Sequence, residues 1–304
     1  MQRPLSAGTG VAGPTSLRVT GRRYPGAAYG GSVPDPTPPV ALTIAGSDSG
    51  GGAGVQADLK TFAALHVHGT CALTAVTAQN TAEVRGVVAL EAGFVRQQVE
   101  TVLDDFAVRS VKTGMLATAD IVMAVADLAE RGLLPHLVVD PVLVSSTGHR
   151  LLEPAGVQAY LGRLIPHALV VTPNLREAAV LGDTDVDSLR TLEARVAVAE
   201  RIRATGARYA VVKGGHLTES ADDVVAGPEG VVVLPGERVA TGNDHGTGCS
   251  LSAAVAANLA RGLEVPDAIT QAKGFVARAL AGGAGWRLGA GHGPLDHFGW
   301  SAPS

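Results

Sequence analysis

Short aliphatic runs alternate with longer amphipathic segments along most of the chain. The aliphatic runs predict strands at 40–45, 72–77, 110–113, 137–140, 169–172, 209–212 and 231–234. The segments between them predict helices at 55–65, 93–105, 119–131, 154–164 and 189–205. Alternation of this kind is typical of a mostly parallel sheet covered by helices on both faces, so the predicted fold class is α/β.

Residues 1–38 differ from the rest of the chain. They hold four arginines against one acid, Asp35, and end in a proline-rich stretch. Such a segment buries too little apolar surface to offset its ordering entropy, so we predict a disordered leader. A targeting peptide and a start codon assigned too far upstream are the alternatives. Residues 39–304 show no internal repeat or clear linker and predict a single domain.

The amino-acid composition limits the classes of molecule that the chain is expected to bind. The 304 residues carry a net charge of −4 and only four lysines, which argues against nucleic-acid and membrane-surface partners and favours a small molecule. Cys71 and Cys249 are too few for a disulfide framework and lack metal-ligand spacing, which predicts a cytoplasmic location. The uncharged run 61–82 is interrupted by polar residues, so we predict no membrane span.

A glycine-containing stretch, residues 241–249, precedes an alanine-rich run at 250–260. Gly246 and Gly248 free the backbone to align successive N–H groups, and the run behind them is a good helix former. Unpaired N–H groups and the positive end of a helix dipole suit a phosphate. A tight packed loop would show the same pattern, so this anion turn, residues 246–249, is weak evidence by itself.

Polar residues also follow several other predicted strands. In parallel sheets ligands bind outside the carboxyl ends of the strands, so these segments are expected to meet. Together they supply a lysine, Lys213, and two carboxylates, Asp140 and Glu177. A lysine, two carboxylates and a glycine-rich turn can hold nucleotide phosphates, a divalent metal and a phosphoryl group in transfer.

Several motifs match one known family in order and spacing. The chain resembles the hydroxymethylpyrimidine/phosphomethylpyrimidine kinases of thiamine biosynthesis, in the ribokinase-like superfamily. The resemblance covers residues 41–300 and lies in 45–48, 51–62, 79–81, 112–116, 140–142, 172–178, 213–216, 245–254 and 291–298. It implies a three-layer α/β/α fold and ATP- and Mg²⁺-dependent phosphorylation of 4-amino-5-hydroxymethyl-2-methylpyrimidine and then of its monophosphate. Relatives are commonly dimers, which implies a homodimer.

The resemblance assigns roles around the pyrimidine. Gln79 matches the family's pyrimidine-binding glutamine, and its amide offers one acceptor and two donors to an aminopyrimidine edge. Gly46, Asp48 and Met115 match positions that surround the substrate. A loop-capping role for Gln79 and simple core packing for Met115 are the structural alternatives. The glycine-rich flap, residues 50–54, is expected to hold the first phosphate through its N–H groups.

Other matched positions concern the nucleotide and the reaction. Asp140 and Glu177 match acidic positions around magnesium, which takes one or two carboxylates while keeping waters. Lys213 is expected to face the ATP phosphates, and the nucleotide-binding set is completed by Asn174 and Glu177. The turn carrying the reaction is Gly246, Thr247, Gly248 and Cys249.

Cys249 stands where the wider superfamily usually has an aspartate base. A thiol at a helix N-terminus is expected to have a lowered pKa, so it could act as a base or position the hydroxymethyl group. Because phosphoryl transfer depends mainly on positioning and charge stabilisation, both roles stay open. Our hypothesis is that Cys249→Ala lowers turnover severely whereas Cys249→Ser or Cys249→Asp retains part of it.

Two other functions compete with this interpretation. A pyridoxal or pyridoxine kinase shares the superfamily, but Gln79 favours a pyrimidine, since an apolar residue is expected in a pyridoxal site. A non-catalytic nucleotide-binding or regulatory protein is the other candidate; against it stands the presence together of Lys213, Asp140, Glu177 and Cys249. The chain departs from common family patterns at Ser49-Gly50, at Asp244 and at residues 145–147, where some relatives carry a lysine.

Overall fold

A computed structural model describes residues 37–143, 152–215 and 220–301. The strands are β1 (Val40–Ala45), β2 (His68–Leu73), β3 (Ala75–Gln79), β4 (Val84–Ala89), β5 (Val108–Thr113), β6 (Val138–Val139), β7 (Val170–Val171), β8 (Tyr209–Val212), β9 (Asp223–Gly227) and β10 (Gly230–Leu234). The α-helices are α1 (Gly54–Ala64), α2 (Ala92–Asp105), α3 (Ala119–Glu130), α4 (Pro154–Ala159), α5 (Leu175–Leu181), α6 (Leu192–Ala204), α7 (Thr247–Ala260) and α8 (Val265–Gly283).

The main sheet has eight strands in the order β10-β9-β8-β7-β6-β5-β1-β2. Strands β2, β1, β5, β6, β7 and β8 run parallel, whereas β9 is antiparallel to both β8 and β10. The predicted mostly parallel α/β sheet is therefore confirmed, with an antiparallel edge. Parallel order brings the carboxyl ends of β1 and β5–β8 to one edge, where the candidate site lies.

Helices cover both faces of this sheet. Val139 of β6 belongs to a core cluster that includes residues of α2, α3 and α6, whereas its neighbour Val138 packs in a second cluster with α1, α7 and α8. Successive strand residues point to opposite faces, so a strand buried on both sides needs consecutive apolar residues. This explains the short valine pairs of β6 and β7, and the three-layer arrangement agrees with the predicted fold.

Strands β3 and β4 form a separate two-stranded antiparallel sheet. The single strand predicted at 72–77 is therefore wrong. It is divided at Thr74, whose N–H donates to Ala45 O and whose hydroxyl donates to Met115 O. These contacts turn the chain out of the main sheet. Strand β4 was not predicted because every one of its residues is exposed, so it lacks an alternating pattern.

Two predicted helices have different boundaries in the structure. Helix α4 ends at Ala159 and continues as a π-helical turn, Tyr160–Leu164. The segment predicted as one helix at 189–205 begins with part of a 3₁₀ helix, and α6 starts after Thr191, whose hydroxyl accepts from Ala194 N. A threonine N-cap of this kind satisfies an N–H group that the helix itself cannot. Helices α5 and α8 and strand β9 were not among the predicted elements.

Some predictions fall on residues that the structure does not describe. The leader lies outside the described residues except for its last two, and its disorder stays a prediction, as does the single domain at 39–304. His216 and residues 145–147 also lie outside them. Within the described residues, none of the helices has the length and apolar character needed to cross a membrane.

Candidate active site

The anion turn forms the start of α7. Gly246 is the residue before the helix and has φ 89°, a left-handed conformation that favours glycine. A Cβ at this position would also lie 1.9 Å from the carbonyl oxygen of Gly52 in the flap. The hydroxyl of Thr247 donates to Asp244 O, and Ser250 N–H makes the first helical bond, to Gly246 O. The first-turn N–H groups of Gly248 and Cys249 are therefore available to a ligand.

Lys213 and Asp140 lie under this turn as an ion pair. The Lys213 Nζ is 3.0 Å from Asp140 Oδ1, and a Cβ on Gly248 would be 3.1 Å from the same ammonium. Asp140 also accepts from Thr172 Oγ1 and Ser252 Oγ. Burial alone would raise the pKa of Asp140, but the nearby lysines lower it below its ordinary value. The structure thus places a cation and an ionised carboxylate beside the N-terminus of α7.

Glu177 and Asn174 form the start of α5. Asn174 Oδ1 accepts from Glu177 N–H at 3.0 Å, and Glu177 Oε2 accepts from Asn174 N–H at 2.8 Å, which is a reciprocal capping box. Burial raises the pKa of Glu177 to about 8, against the lowering effect of Lys213 and with a further rise from Asp140. The predicted nucleotide residue Asn174 therefore uses its side-chain oxygen to cap a helix.

The carboxylates here fit a divalent cation. Asp140 and Glu177 share one lysine, Lys213, and burial together with the nearby Asp140 raises the pKa of Glu177. Magnesium commonly takes one or two protein carboxylates and completes its shell with waters and phosphates. In the described part of the chain, no group of three or more candidate metal ligands occurs.

A second lysine–carboxylate pair lies next to the first and was not predicted as functional. Lys112 of β5 contacts both oxygens of Asp58 on α1, at 2.9 and 2.8 Å, and Thr43 Oγ1 donates to the same carboxylate at 2.6 Å. Both charged side chains are 0% exposed. A signal was present in the sequence, since Asp58 shares the apolar face of α1 with Val55 and Phe62, where a carboxylate needs a buried partner.

Cys249 lies close to this buried pair. It is half-buried, and the N–H of Gly54 in the flap donates to it. Burial raises the pKa of the thiol to about 11; Lys112 opposes this rise, whereas Asp58 and Asp140 add to it. The lowered pKa expected from the helix N-terminus is therefore wrong, because nearby carboxylates and burial outweigh the helix. At neutral pH the side chain is a thiol rather than a thiolate.

The flap is organised by Asp48. Its Oδ1 accepts from Gly50 N–H, and its Oδ2 accepts from the N–H groups of Gly52 and Ala53, at 2.8 to 3.0 Å. Burial alone would raise the pKa of Asp48, but hydrogen bonds from His245 and these N–H groups lower it to about 2. The expectation that flap N–H groups hold the first phosphate is thus not met here, because Asp48 already uses three of them.

Gln79, Gly46 and Met115 are the other predicted pyrimidine residues. Gln79 is the last residue of β3, rather than a loop residue after a strand of the main sheet, and its Nε2 is 3.3 Å from His245 Nε2. Gly46 N–H donates to Met115 O, and a Cβ on Gly46 would lie 2.4 Å from Met115 Cε. The structure therefore brings Gly46 against Met115 and connects Gln79 to Asp48 through His245, a residue that the sequence did not single out.

Comparison with known proteins agrees with this geometry. The profile of a family described as phosphomethylpyrimidine kinase matches residues 48–296. The chain belongs to this family. A relative from Rhizobium meliloti, named hydroxymethylpyrimidine/phosphomethylpyrimidine kinase, is 46% identical over 260 residues, covering 85% of this chain and 97% of the relative. The chain is accordingly a phosphotransferase of a kinase family that uses ATP as phosphoryl donor.

Solved structures with the same fold include enzymes named for two different activities. An ADP complex of Bacillus subtilis pyridoxal kinase has a TM-score of 0.78 and 40% identity, covering 86% of this chain and 98% of that one. A phosphomethylpyrimidine kinase from Clostridium difficile 630 has a TM-score of 0.69 and 36% identity, covering 79% and 99%. The fold therefore supports the family but does not separate pyrimidine from pyridoxal substrates, and that separation depends on individual residues.

Proposed function

We propose that this chain phosphorylates 4-amino-5-hydroxymethyl-2-methylpyrimidine with ATP, and then phosphorylates the monophosphate, for thiamine diphosphate biosynthesis. The observation that carries the proposal is the position of Gln79, whose amide end lies 3.3 Å from His245, the residue directly before the anion turn. An amide there can pair with an aminopyrimidine edge while the hydroxymethyl group lies near the phosphates. Relatives at 41–47% identity bear the corresponding name.

The transfer step depends on charge placed before the reaction begins. We propose that the N–H groups of Gly248 and Cys249 and the ammonium of Lys213 hold the transferring phosphoryl group, whose charge grows on its outer oxygens. Mg²⁺ held by Asp140 and Glu177, directly or through water, would neutralise further phosphate charge. Gly46 and Met115 would form the wall against which the pyrimidine ring lies.

The proton of the attacking hydroxyl is a separate question. Since the Cys249 thiol is already protonated at neutral pH, we infer that it positions the hydroxymethyl group rather than removing its proton. A loose transition state needs little base assistance, because the hydroxyl becomes acidic only as its bond to phosphorus forms. In the second reaction the nucleophile is a phosphate oxygen, which carries its own negative charge and needs no base.

Pyridoxal phosphorylation is the second candidate function. It is supported by the 40% identity to the Bacillus subtilis pyridoxal kinase, which is close to the 41% identity of the Escherichia coli relative bearing the pyrimidine name. Gln79 argues against it, because a half-buried amide left without its pyrimidine partner would lose hydrogen bonds on binding another ring.

The test is ADP release from the purified protein with ATP and Mg²⁺. Hydroxymethylpyrimidine, its monophosphate, pyridoxal and pyridoxine are compared at several concentrations, with Gln79→Met as the matched variant. We expect higher kcat/KM for both pyrimidines and a loss of this preference in Gln79→Met. A wild-type preference for pyridoxal would overturn the proposal and leave only the phosphoryl chemistry.

We further propose a homodimer that uses the outer face of the β3–β4 sheet. Val76 and Val88 face each other in register on this sheet and are 46% and 67% exposed. Apolar side chains in adjacent strands are a favourable surface for a second copy. Sedimentation velocity is expected to give a dimer for the wild type and a monomer for Val88→Lys. A monomeric wild type at micromolar concentration would contradict this.

A cytoplasmic location also belongs to the proposal. Both described cysteines, Cys71 and Cys249, are free thiols, as is usual in reducing compartments. Immunodetection in fractionated source cells is expected to find the protein with cytoplasmic markers, and recovery with secreted proteins would count against it.

A further inference from the structure

Hydrogen bonds connect the loop between β1 and α1 to strand β3. The hydroxyl of Thr77 donates to Ser47 O at 2.9 Å. Two residues further along each segment, Ser49 Oγ accepts from Gln79 N–H at 2.7 Å and donates to Gln79 O at 2.8 Å. The Ser49 side chain therefore bonds both the N–H and the carbonyl oxygen of Gln79. With its main chain fixed in this way, Gln79 can change only the orientation of its side-chain amide.

The amide end of Gln79 lies next to the imidazole ring of His245. His245 Nε2 is 2.9 Å from Asp48 Oδ2 and 3.3 Å from the Gln79 amide. The ring is held in place by its surroundings. A Cβ on Gly52 would lie 2.6 Å from His245 Cδ2, and the main-chain N–H of His245 donates to Gly293 O. Both polar contacts therefore involve the same nitrogen of a fixed ring.

The carboxylate of Asp48 decides what that nitrogen carries. Asp48 accepts three flap N–H groups and is ionised at neutral pH, because these bonds and His245 hold its pKa at about 2. A carboxylate has no proton to give, so Nε2 must carry the hydrogen of the contact with Asp48. An N–H group cannot face an amide NH₂, since both are donors. The end of Gln79 that lies nearest His245 is thus its carbonyl oxygen, which is the flipped form of the amide.

We propose that His245, oriented by Asp48, is a positioning residue that turns the Gln79 carbonyl oxygen toward its imidazole and the Gln79 NH₂ toward the substrate. This inference rests on the proposed function. The amide then offers a donor to a ring nitrogen, and its oxygen keeps a lone pair for an exocyclic amine. A heteroaromatic ring with an acceptor nitrogen beside an amino group satisfies both, whereas a ring without that edge leaves the amide unpaired.

Substitution of His245 tests this role in the intact protein. In His245→Phe the ring volume stays but the N–H is lost, so the amide can rotate. We expect roughly a tenfold fall in kcat/KM for hydroxymethylpyrimidine, expressed as a higher KM, with the KM for ATP unchanged. The preference over pyridoxal should fall by the same factor. His245→Gln restores an N–H near the Nε2 position and should recover most of the preference.

A double-mutant cycle separates positioning from a general structural effect. In Gln79→Met, the added His245→Phe substitution should lower pyrimidine kcat/KM no further, because the amide that it orients is gone. The matched control is His292→Phe, which removes an exposed histidine bonded through Nδ1 to Asp244 and should leave both KM values unchanged. Additive losses in the cycle would overturn the inference, even if the wild type is active on both pyrimidines.

The tautomer gives a readout that does not depend on activity. Long-range ¹H–¹⁵N correlation spectra of the ligand-free protein, assigned with His245→Phe, should show His245 protonated at Nε2. An imidazole protonated only at Nδ1 would overturn the inference. A wild type that phosphorylates neither pyrimidine would overturn the proposed function and with it the specificity role of His245.

Discussion

The two lysine–carboxylate pairs beside Cys249 contain the same residue types and differ in what they can reach. Lys112 and Asp58 are both 0% exposed, and their charges cancel within a closed contact that includes Thr43. Lys213 is 13% exposed and lies against the anion turn, and its partner Asp140 has a second carboxylate, Glu177, close by. One pair is thus complete, whereas in the other two carboxyl groups share one lysine.

This difference shows that an ion pair acquires a ligand-binding role through its surroundings. A closed pair costs desolvation that its own attraction must offset, so it has little capacity for a third charge. An open pair with a second carboxyl group beside it can exchange part of its contacts for phosphate and a divalent cation. We therefore expect substitutions in the closed pair to affect the free energy of unfolding most, and substitutions in the open pair to affect turnover most.

The largest effect is expected for Lys112→Met. Removing this cation leaves the Asp58 carboxylate buried without a partner, which typically costs about 3–5 kcal/mol in the free energy of unfolding. Equilibrium unfolding in urea measures the change. The control is Lys112→Met combined with Asp58→Asn, which removes both charges and should recover most of the loss. A single variant as stable as the wild type would break the comparison.

The next effect is expected for Lys213→Gln. The amide keeps a donor for Asp140 but loses the charge that stabilises the transferring phosphoryl group, so kcat should fall by about 10²–10³, or roughly 3–4 kcal/mol. Its loss of stability should be smaller than that of Lys112→Met, since Glu177 can remain protonated. Steady-state kinetics at saturating ATP and urea unfolding give the two numbers. A larger loss of stability than of turnover would contradict the assigned difference.

The open pair was predictable from the sequence, and the closed pair was not recognised as functional. Lys213, Asp140 and Glu177 follow predicted strands of a parallel sheet, and the rule that ligands bind at the carboxyl ends of such strands locates them. Asp58 lies inside a helix, and Lys112 lies inside a strand. Their pairing depends on how α1 packs on β5, which no local pattern contains.

The pyrimidine side was predicted less completely than the phosphate side. Gln79 was named, but its strand was placed in the wrong sheet because the turn at Thr74 depends on contacts with Ala45 and Met115. The substrate-binding role of Asp48 stays a prediction, and its hydrogen bonds to the flap were not predicted. A role for His245 was not predicted, because its partners Asp48 and Gln79 are far from it in sequence and only the fold brings them together.

A smaller effect per pH unit is expected from Glu177. Its pKa is about 8 in the folded protein and near 4.5 when unfolded, so between these values only the folded state binds the proton. Stability is then lost as pH rises toward 8, with a slope of at most about 1.4 kcal/mol per pH unit.

Thermal unfolding in EDTA between pH 6.5 and 8 measures this slope. The range avoids His297, whose pKa of about 4 makes stability fall only at lower pH, as pH drops below the ordinary value of 6.5. Glu177→Gln keeps the capping box with Asn174 but cannot titrate, so its stability should be nearly flat across the range. An equal slope in both proteins would show that Glu177 is not the group that binds this proton in the folded state.

The smallest effect is expected at Cys249, which lies between the two pairs. A protonated thiol contributes one weak hydrogen bond, so Cys249→Ala should lower kcat by about tenfold or less, near 1 kcal/mol, rather than severely as the sequence suggested. Cys249→Ser keeps a donor and should stay close to the wild type. Cys249→Asp places a third carboxylate beside Asp58 and Asp140 and should be less active than the serine variant.

The pH dependence of kcat separates this positioning role from a base. With the thiol pKa at about 11, the wild type and Cys249→Ser should have the same profile between pH 6 and 9. An inflection near neutral pH that is present in the wild type and absent from Cys249→Ser would identify the thiolate as the base. It would also mean that Lys112 stabilises the thiolate of Cys249 once ATP is bound, so that the closed pair takes part in the reaction.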